Sequence, residues 1–297
     1  MVKEKLAVII PTKDRSTQLN RLLDSVSTQK VLPCQTIVID AGGGDVESVL
    51  KKFPYLNIDY TRVKLASLTA QRNLGITFLK PDISLVCFFD DDVILQEDSL
   101  VNMMKFWEDA PLDVGGAAFN NFYRKFKKPN LFERFFRVRA ERPGVILRSG
   151  FQSLPCSLER TMQVDWLIGC SMMFRKKVFN EFLFDEWFSG YAHCEDIDFC
   201  CRVGKKYRLF VVADAKILHI SLGEKVQDYY SFGKMQILNR LYFVKKNNLS
   251  ILLCYWACLG IFLNNLFNGL ARFNRGSLIR AQGNISGFSQ AIYKNFL

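Results

Sequence analysis

Short apolar runs alternate with segments of helical periodicity through the first 95 residues of the chain. Residues 6–10 are apolar, and residues 36–39 are apolar except for Thr36, as buried strands are. Residues 15–27 between them place leucine and valine at helical spacing. Residues 85–89 form a further apolar run that leads directly into three aspartates. Because strands that alternate with helices form mostly parallel sheets flanked by helices, we predict an α/β fold. Ligands of such sheets bind at the carboxyl ends of the strands.

The formal net charge of +11 is concentrated in two segments. Residues 124–148 carry nine Lys and Arg against two acids, and eight Lys and Arg but no acid follow Asp228. The remaining residues are therefore mildly acidic. A uniformly basic nucleic-acid-binding protein would look different, so we expect no nucleic acid partner. Basic residues beside apolar ones are instead typical of proteins that bind an anionic membrane surface.

The nine cysteines include no Cys-x-x-Cys pair, and the chain has two histidines. This composition lacks the ligand spacing of zinc fingers. Because no signal peptide is recognisable in the first residues, we expect reduced thiols and a cytoplasmic location.

Three consecutive aspartates, Asp90, Asp91 and Asp92, follow the apolar run at residues 85–89. Adjacent carboxylates repel one another and are costly to desolvate, and a divalent cation removes both problems. Mg²⁺ and Mn²⁺ bind one or two carboxylates together with phosphate oxygens. Since Asp90 and Asp92 point to the same side of an extended backbone, the cluster predicts a metal-bound nucleotide diphosphate. The alternative is a solvated acidic turn, which the buried strand before it disfavours.

Further polar residues stand at predicted strand and helix ends, each with a structural alternative. Asp40 precedes three glycines and either accepts a hydrogen bond from a base or ribose, or forms an ordinary turn. Arg72 is either a phosphate contact or a surface residue. Asp196, beside Glu195, is either a general base or part of an acidic helix N-terminus. His219 is either a metal ligand or a core histidine.

The order of several short motifs is specific. They are Ala7-Val8-Ile9-Ile10-Pro11-Thr12, Val38-Ile39-Asp40, Ala70-Gln71-Arg72-Asn73-Leu74-Gly75, Phe89-Asp90-Asp91-Asp92, Trp166-Leu167-Ile168-Gly169-Cys170-Ser171, Phe184-Asp185-Glu186 before Gly190-Tyr191, and Glu195-Asp196-Ile197-Asp198. Over about residues 5–223 the chain thereby resembles the family 2 glycosyltransferases. The resemblance implies the GT-A fold, a Rossmann-like, mostly parallel sheet flanked by helices. One departure is that Ala41-Gly42-Gly43 follows Asp40, where the family more often has an acid or Asn before Gly-Ser.

The resemblance also implies a role for each site residue. Asp196 would be the catalytic base that deprotonates the acceptor, with Glu195 beside it. A divalent metal, Mg²⁺ or Mn²⁺, would be bound by Asp92 and Asp90, with His219 at the place of a histidine often found there. The donor-binding residues would be Pro11, Thr12, Asp14, Arg15, Asp40, Arg72, Asp90 and Asp91. The acceptor-side residues would be Trp166, Gly169, Cys170 and Ser171.

These roles predict an inverting, metal-dependent hexosyl- or deoxyhexosyltransferase that moves a sugar from a nucleotide-diphosphate sugar to a hydroxyl acceptor. We expect the acceptor to be a glycan or a lipid-linked glycan, in the assembly of cell-surface polysaccharide or lipid-linked glycans. One alternative is a sugar nucleotidyltransferase, which would favour a Gly-rich loop after the first strand, whereas residues 11–15 contain no glycine. The other is a non-catalytic, membrane-bound scaffold that retains only the nucleotide site.

The predicted catalytic domain spans residues 1–228, with a nucleotide-sugar half at about 1–95 and an acceptor half at about 96–228. Residues 229–297 are predicted to be a basic, apolar, helical tail. In it, residues 251–263 lack strongly polar side chains, a run shorter than the about 20 residues that span a bilayer. We therefore expect the tail to lie at the inner face of the cell membrane, with weak insertion at residues 250–271. The alternative is a helical hairpin packed on the protein core.

Overall fold

The computed structural model describes residues 4–190, 192–220 and 228–294. The chain divides into two compact units. The first, called the sheet unit below, comprises Met1–Lys125 and Pro155–Ser221. The second, called the helical unit, comprises Phe126–Leu154 and Leu222–Leu297.

The sheet unit is built on one mixed sheet, which has nine strands within the described residues. They are β1 (Leu6–Thr12), β2 (Gln35–Asp40), β3 (Ile58–Arg62), β4 (Leu85–Phe89), β5 (Val93–Leu95), β6 (Val114–Asn121), β7 (Met162–Val164), β8 (Ser171–Arg175) and β9 (Arg208–His219). The order across the sheet is β3-β2-β1-β4-β8-β6-β9-β5, with β7 beside β9. The first four of these are parallel, and antiparallel pairing of β8 with β4 and β6 joins them to the rest.

Helices flank the sheet and also form the helical unit. In chain order they are α1 (Ser16–Ser27), α2 (Glu47–Leu50), α3 (Leu68–Thr77), α4 (Ser99–Asp109), α5 (Leu131–Phe135), α6 (Glu195–Val203), α7 (Tyr229–Lys246), α8 (Ile251–Ala271) and α9 (Arg275–Tyr293). Helix α1 buries Leu19, Leu22 and Val26, which share one face because of their spacing. Strands β1 and β4 are buried along their whole length, as expected of strands covered on both faces. The predicted α/β fold is confirmed.

Two local predictions in the sheet unit are wrong. The sequence pattern predicts separate strands at residues 209–212 and 216–220, but β9 is continuous across the exposed Asp214. Strand β9 changes register against β6 between Phe119 and Asn120, so the pairing continues past the polar residue. A helix predicted over residues 45–53 is reduced to α2, followed by a 3₁₀ turn at Pro54–Leu56. Pro54 disfavours a helical conformation at Phe53, which ends the segment.

In the helical unit, α7 and α9 approach closely because glycines stand where they meet. A Cβ on Gly233 would collide with the carbonyl group of Arg280, and a Cβ on Gly283 with that of Tyr230. The tail, which is predicted to be helical, begins with α7 at residues 229–246. Helix α8 continues the apolar run at residues 251–263 to Ala271. Among the described residues it is the one helix long and apolar enough, by length and composition alone, to cross a membrane.

Residues 126–154 group with the C-terminal helices rather than with the sheet. Arg240 of α7 donates hydrogen bonds to the carbonyl oxygen of Gly150 at 2.6 Å and to Oε1 of Gln152 at 2.8 Å. The indole Nε1 of Trp256 donates to the carbonyl oxygen of Phe135 at 2.8 Å. The helical unit thus includes a segment from inside the predicted catalytic range. The functional division at residue 228 stays a prediction.

Candidate active site

Three parallel strands bring the predicted donor residues to one edge of the sheet. Thr12 and Asp40 end β1 and β2 and are register partners. Asp90 follows the last residue of β4, and its N–H donates to the carbonyl oxygen of Cys170 at 3.0 Å. Pro11 lies within β1 and is buried, so it shapes this edge through the backbone. The edge therefore collects side chains that are far apart in the sequence.

Asp90, Asp92 and His219 form a group that fits a divalent cation. One ligand atom from each of the three lies within 4.8 Å of the others. Pairing of β5 with β9 places Val93 opposite His219, which brings the imidazole next to Asp92. The distance from His219 Nε2 to Asp92 Oδ1 is 2.9 Å. Two carboxylates and an imidazole are suitable ligands for an ion such as Mn²⁺, with positions left for phosphate oxygens.

The titration of His219 depends on these neighbours. Burial lowers the pKa of His219, but hydrogen bonds with Asp92 and Cys170 outweigh that effect and raise the pKa to about 11. Without a metal, His219 is therefore a cation that neutralises Asp92. Because only a neutral imidazole binds a metal, ion binding at this group would release the proton.

Asp91 is not one of the three residues of the metal-binding group, and it contacts the end of β1 instead. Its Oδ2 accepts a hydrogen bond from the hydroxyl of Thr12 at 2.7 Å. Arg15 Nη1 lies 3.2 Å from Asp91 Oδ1 and 3.2 Å from Asp92 Oδ2. Burial raises the pKa of Asp91 to about 6, although Thr12 and Arg15 oppose the rise. Asp91 and Arg15 thus hold the acidic turn together, and their contact with a donor stays a prediction.

Asp40 is completely buried and is held by three donors. Its Oδ1 accepts from the N–H of Gly42 at 2.8 Å. Its Oδ2 accepts from the hydroxyl of Tyr60 at 3.0 Å and from Nε of Arg62 at 3.3 Å. Tyr60 and Arg62 are not among the residues predicted from the sequence. Their spacing of two in β3 puts both side chains on one face, and the register of β3 against β2 places that face beside Asp40.

Asp14 fixes the glycine loop that follows β2. Its Oδ1 accepts from the N–H of Gly43 at 2.8 Å. Asp14 has a φ of 54°, a left-handed conformation that Asp adopts more readily than most residues. A Cβ on Gly42 would collide with the backbone nitrogen of Asp14, so the close approach requires glycine at that position. The two loops are therefore joined at the strand ends where the donor is predicted to bind.

Arg72 of α3 is completely buried and bridges both halves of the predicted site. Its Nη1 donates to Glu195 Oε1 at 2.6 Å, and its Nη2 donates to Asp90 Oδ1 at 3.0 Å. Nη2 also donates to the carbonyl oxygen of Gly169 at 2.9 Å. Its guanidinium carbon lies 5.2 Å from the centre of the Phe184 ring. Arg72 is thus not a surface residue, and its link to the donor edge is through Asp90.

Asp196 and Glu195, at the start of α6, have different environments. Asp196 is half-buried; its Oδ2 accepts from the N–H of Gly169 at 3.1 Å and its Oδ1 from that of Ile197 at 2.8 Å. Glu195 is buried against Arg72, and burial raises its pKa while Arg72 counteracts the rise. A Cβ on Gly169 would lie 2.9 Å from Glu195 Oε1 and 3.3 Å from the Cβ of Asp196. Glycine is therefore needed at position 169 for the acids to keep this geometry.

The other predicted acceptor-side residues have buried side chains. Trp166, Cys170 and Ser171 are 2 %, 3 % and 1 % exposed. Ser171 begins β8 and is the register partner of Phe89, so this segment continues the sheet beside β4. These side chains support the site from within the protein, and their contact with an acceptor stays a prediction.

Residues 7–183 match the family described as glycosyl transferase family 2. The chain belongs to this family. Among curated relatives, it is 29 % identical over 122 residues to the uncharacterized glycosyltransferase YwdF of Bacillus subtilis, covering 41 % of this chain and 45 % of the relative. It is 26 % identical over 135 residues to the glycosyltransferase GlyA of Streptococcus pneumoniae, covering 44 % of this chain and 19 % of the relative. The match thus spans less than half the length of either relative.

Solved structures with the same fold include S. aureus TarS 1-349 in complex with UDP, at a TM-score of 0.58 and 15 % identity. That similarity covers 99 % of this chain and 79 % of TarS 1-349. The mannosyltransferase PcManGT from Pyrobaculum calidifontis, in complex with GDP-Man and Mn²⁺, also has a TM-score of 0.58, at 13 % identity. Here 99 % of this chain and 89 % of the other are covered. The fold of this chain is therefore the GT-A fold of glycosyltransferases.

Proposed function

We propose that the protein is an inverting glycosyltransferase that moves a sugar from a nucleotide-diphosphate sugar to a hydroxyl acceptor. The observation that supports this most is the position of Arg72. One guanidinium contacts Asp90 at the donor edge and Glu195 beside the proposed base, and it also binds the carbonyl oxygen of Gly169. A single displacement needs the donor and the base fixed relative to each other, and this contact set does that.

The donor is proposed to lie across the ends of β1, β2 and β4. The loop that Asp14 and Gly43 join suits a base and ribose, because glycine allows the backbone to approach a ligand closely. Asp40, whose carboxylate is completely buried, is proposed to support this loop through Gly42 rather than to contact the donor. Nucleotide-bound neighbours of the same fold, with UDP, UDP-GlcNAc or GDP-Man, support a nucleotide sugar as the donor.

Asp90, Asp92 and His219 are proposed to hold the divalent cation, Mg²⁺ or Mn²⁺. When bound there, the cation supplies positive charge that stabilises the leaving diphosphate. Arg15, which spans Asp91 and Asp92, is a second positive charge at the same turn. Arg15 thereby keeps the acidic turn together when no cation neutralises it.

Asp196 is proposed to remove the proton of the acceptor hydroxyl. Hydrogen bonds from the backbone N–H groups of Gly169 and Ile197 orient its carboxylate. Being half-buried, the group is more accessible than the neighbouring Glu195. Glu195 is proposed to position Arg72 and the start of α6 rather than to react.

The acceptor is proposed to be a glycan or lipid-linked glycan of cell-surface assembly, and the transferred group a hexose or deoxyhexose. The basic, apolar helical unit favours a location at the inner face of the cell membrane, where such acceptors are made. A sugar nucleotidyltransferase is disfavoured, because the loop between β1 and α1, residues 13–15, contains no glycine. A scaffold without activity is disfavoured by the oriented acid at Asp196.

The donor can be identified by thermal shift with a panel of nucleotides and sugar nucleotides, measured with and without Mn²⁺. We expect one base and one sugar to raise the Tm only when Mn²⁺ is present, and slow hydrolysis of that sugar nucleotide. Pyrophosphate release from a nucleoside triphosphate would instead support the nucleotidyltransferase. If no sugar nucleotide shifts the Tm in either condition, the proposed function is wrong.

A further inference from the structure

Helix α8 exposes an apolar stripe on one side. Its exposed large apolar side chains are Leu252, Trp256, Leu259, Leu263, Phe267 and Leu270. At 3.6 residues per turn these six positions fall within an arc of about 80°. Surface helices normally place polar residues on the solvent side. A continuous apolar stripe there is typical of a binding site for a protein or a membrane.

The opposite face of α8 is held within the helical unit. Ala257 and Cys258 are completely buried. Nδ2 of Asn265 donates to Oδ1 of Asn284 in α9 at 2.9 Å, and Nδ2 of Asn284 donates to the carbonyl oxygen of Gly233 in α7 at 2.7 Å. A helix that crosses a bilayer alone would have to break these contacts. The structure therefore favours a helix that lies flat, with only its stripe in contact with lipid.

The short helix α5 extends the stripe near the first turns of α8. Phe136 stacks on Trp256 with ring centroids 4.9 Å apart, and the carbonyl oxygen of Phe135 accepts the indole hydrogen bond. Leu131 and Phe135 are exposed beside this contact. Tryptophan with a satisfied N–H is typical of the boundary between headgroups and acyl chains.

The charge of the chain lies in the same unit as the stripe. The helical unit has sixteen Lys and Arg against four acids, a net +12, so the sheet unit contributes −1 to the overall +11. Exposed basic residues follow α8 at Arg272 and Arg275 and precede α5 at Lys127 and Lys128. This charge complements anionic phospholipid headgroups, whereas two copies of so basic a unit would repel each other.

We propose that the apolar stripe of α8, extended by α5, is a docking surface for an anionic lipid bilayer. In this arrangement α8 lies in the plane of the membrane at the headgroup–acyl boundary, and the basic residues at its end contact the headgroups. The proposal rests on the proposed function only for the reason why the chain would dock, which is to reach a membrane-bound acceptor. The docking itself depends on the helical unit.

The proposal is tested by flotation of the full chain with phosphatidylcholine vesicles, prepared with or without phosphatidylglycerol. We expect binding to the anionic vesicles, weakened by salt. Joint replacement of Leu263→Ser and Phe267→Ser should weaken binding by about tenfold or more. Arg272→Gln with Arg275→Gln should weaken binding to the anionic vesicles alone. The controls are Leu112→Ser, which changes an exposed leucine of the sheet unit, and Lys51→Gln with Lys64→Gln.

The depth of α8 is measured by quenching of a tryptophan with brominated lipids. Leu263→Trp in a Trp256→Phe background puts a reporter near the middle of the helix, and Trp256→Phe alone gives the signal of the remaining tryptophans, which is subtracted. We expect quenching by lipids brominated near the headgroup and little by lipids brominated at the chain end. Strong quenching at the chain end would mean that α8 crosses the bilayer, and the flat arrangement would be wrong.

Three results would overturn the docking surface. The first is absence of binding to both kinds of vesicle, and the second is binding that the stripe variants leave unchanged. The third is a dimer in analytical ultracentrifugation that the stripe variants dissociate, since a second copy would then be the occupant. Hydrolysis of the sugar nucleotide in solution separates this proposal from the proposed function. Stripe variants should hydrolyse the sugar nucleotide as the unaltered chain does. If the unaltered chain shows no hydrolysis, only the proposed function is wrong.

Discussion

Arg72 shows how one buried residue can organise a site made of several acids. Its guanidinium donates to Glu195, to Asp90 and to the carbonyl oxygen of Gly169, in a position closed to solvent. Desolvating a guanidinium is costly, and the cost is offset only when charged partners and good geometry surround it. The planar fork of arginine suits this purpose because it can bind partners on two sides at once.

We predict that Arg72→Ala lowers the free energy of unfolding by about 3 kcal/mol or more, because removing one member of a buried ion pair leaves the other uncompensated. Chemical denaturation by urea measures this. Arg208→Ala is the matched control, because Arg208 pairs with Asp113 at 2.7 Å on an exposed surface, and stability should hardly change. Equal losses in both variants would mean that the burial of Arg72 does not matter.

His219 predicts a pH dependence in the metal-free protein. The pKa of His219 is raised in the folded state, so the stability it contributes is complete below pH 6.5 and is lost as the pH rises toward 11. With a chelator present, the free energy of unfolding should therefore fall between pH 6.5 and 8.5, by at most about 1.4 kcal/mol per pH unit. His219→Gln should remove this slope. A slope that persists in His219→Gln must have another source.

At the scale of the element, α3 places Arg72 because its glycine lies directly on β1. A Cβ at Gly75 would be 2.5 Å from Cγ2 of Ile9, which is completely buried. Gln71 of the same helix donates to the carbonyl oxygens of Thr12 at 3.1 Å and Ile39 at 2.8 Å. The helix is thus fixed to the ends of β1 and β2, and its position sets the edge of the candidate site.

Gly75→Ala should lower the free energy of unfolding by about 1–3 kcal/mol, because the added methyl group overpacks the contact with Ile9. Thermal unfolding compares it with Gly44→Ala, at which a Cβ would meet nothing within 4 Å. The control should change stability by no more than about 0.5 kcal/mol. If Gly75→Ala is as stable as the control, α3 does not pack as tightly as described.

At the scale of the whole molecule, the sequence predicts the elements that a short stretch of consecutive residues specifies by its own pattern. Alternating apolar runs indicate the α/β sheet, and the basic, apolar composition of residues 229–297 indicates a helical tail. The contact between Arg72 and Glu195 could not be predicted in the same way, because it joins residues 123 positions apart. Neither could the position of Tyr60 beside Asp40, which depends on the register of β3. Long-range contacts follow from packing, for which a single sequence has no local signal.

Within the tail that is predicted to be helical, the bounds of α9 could not be predicted for a related reason. Gly276, Gly283 and Gly287 lie within α9, and glycine has a low helix propensity. In the folded protein two of them face α7, where a side chain would collide with the backbone of Tyr230 or Lys234. The residues that weaken the local helical signal are therefore those that allow the helices to pack.

The central claim is that Asp92 serves the donor and Asp196 the acceptor within one glycosyl-transfer site. The most direct test compares Asp92→Asn and Asp196→Asn for Mn²⁺-dependent binding of the sugar nucleotide and for its turnover. We predict that Asp92→Asn loses both. Asp196→Asn should bind as the unaltered chain does, while its turnover falls by about 10²–10⁴-fold. Unchanged turnover in Asp196→Asn, or unchanged metal-dependent binding in Asp92→Asn, would contradict the account.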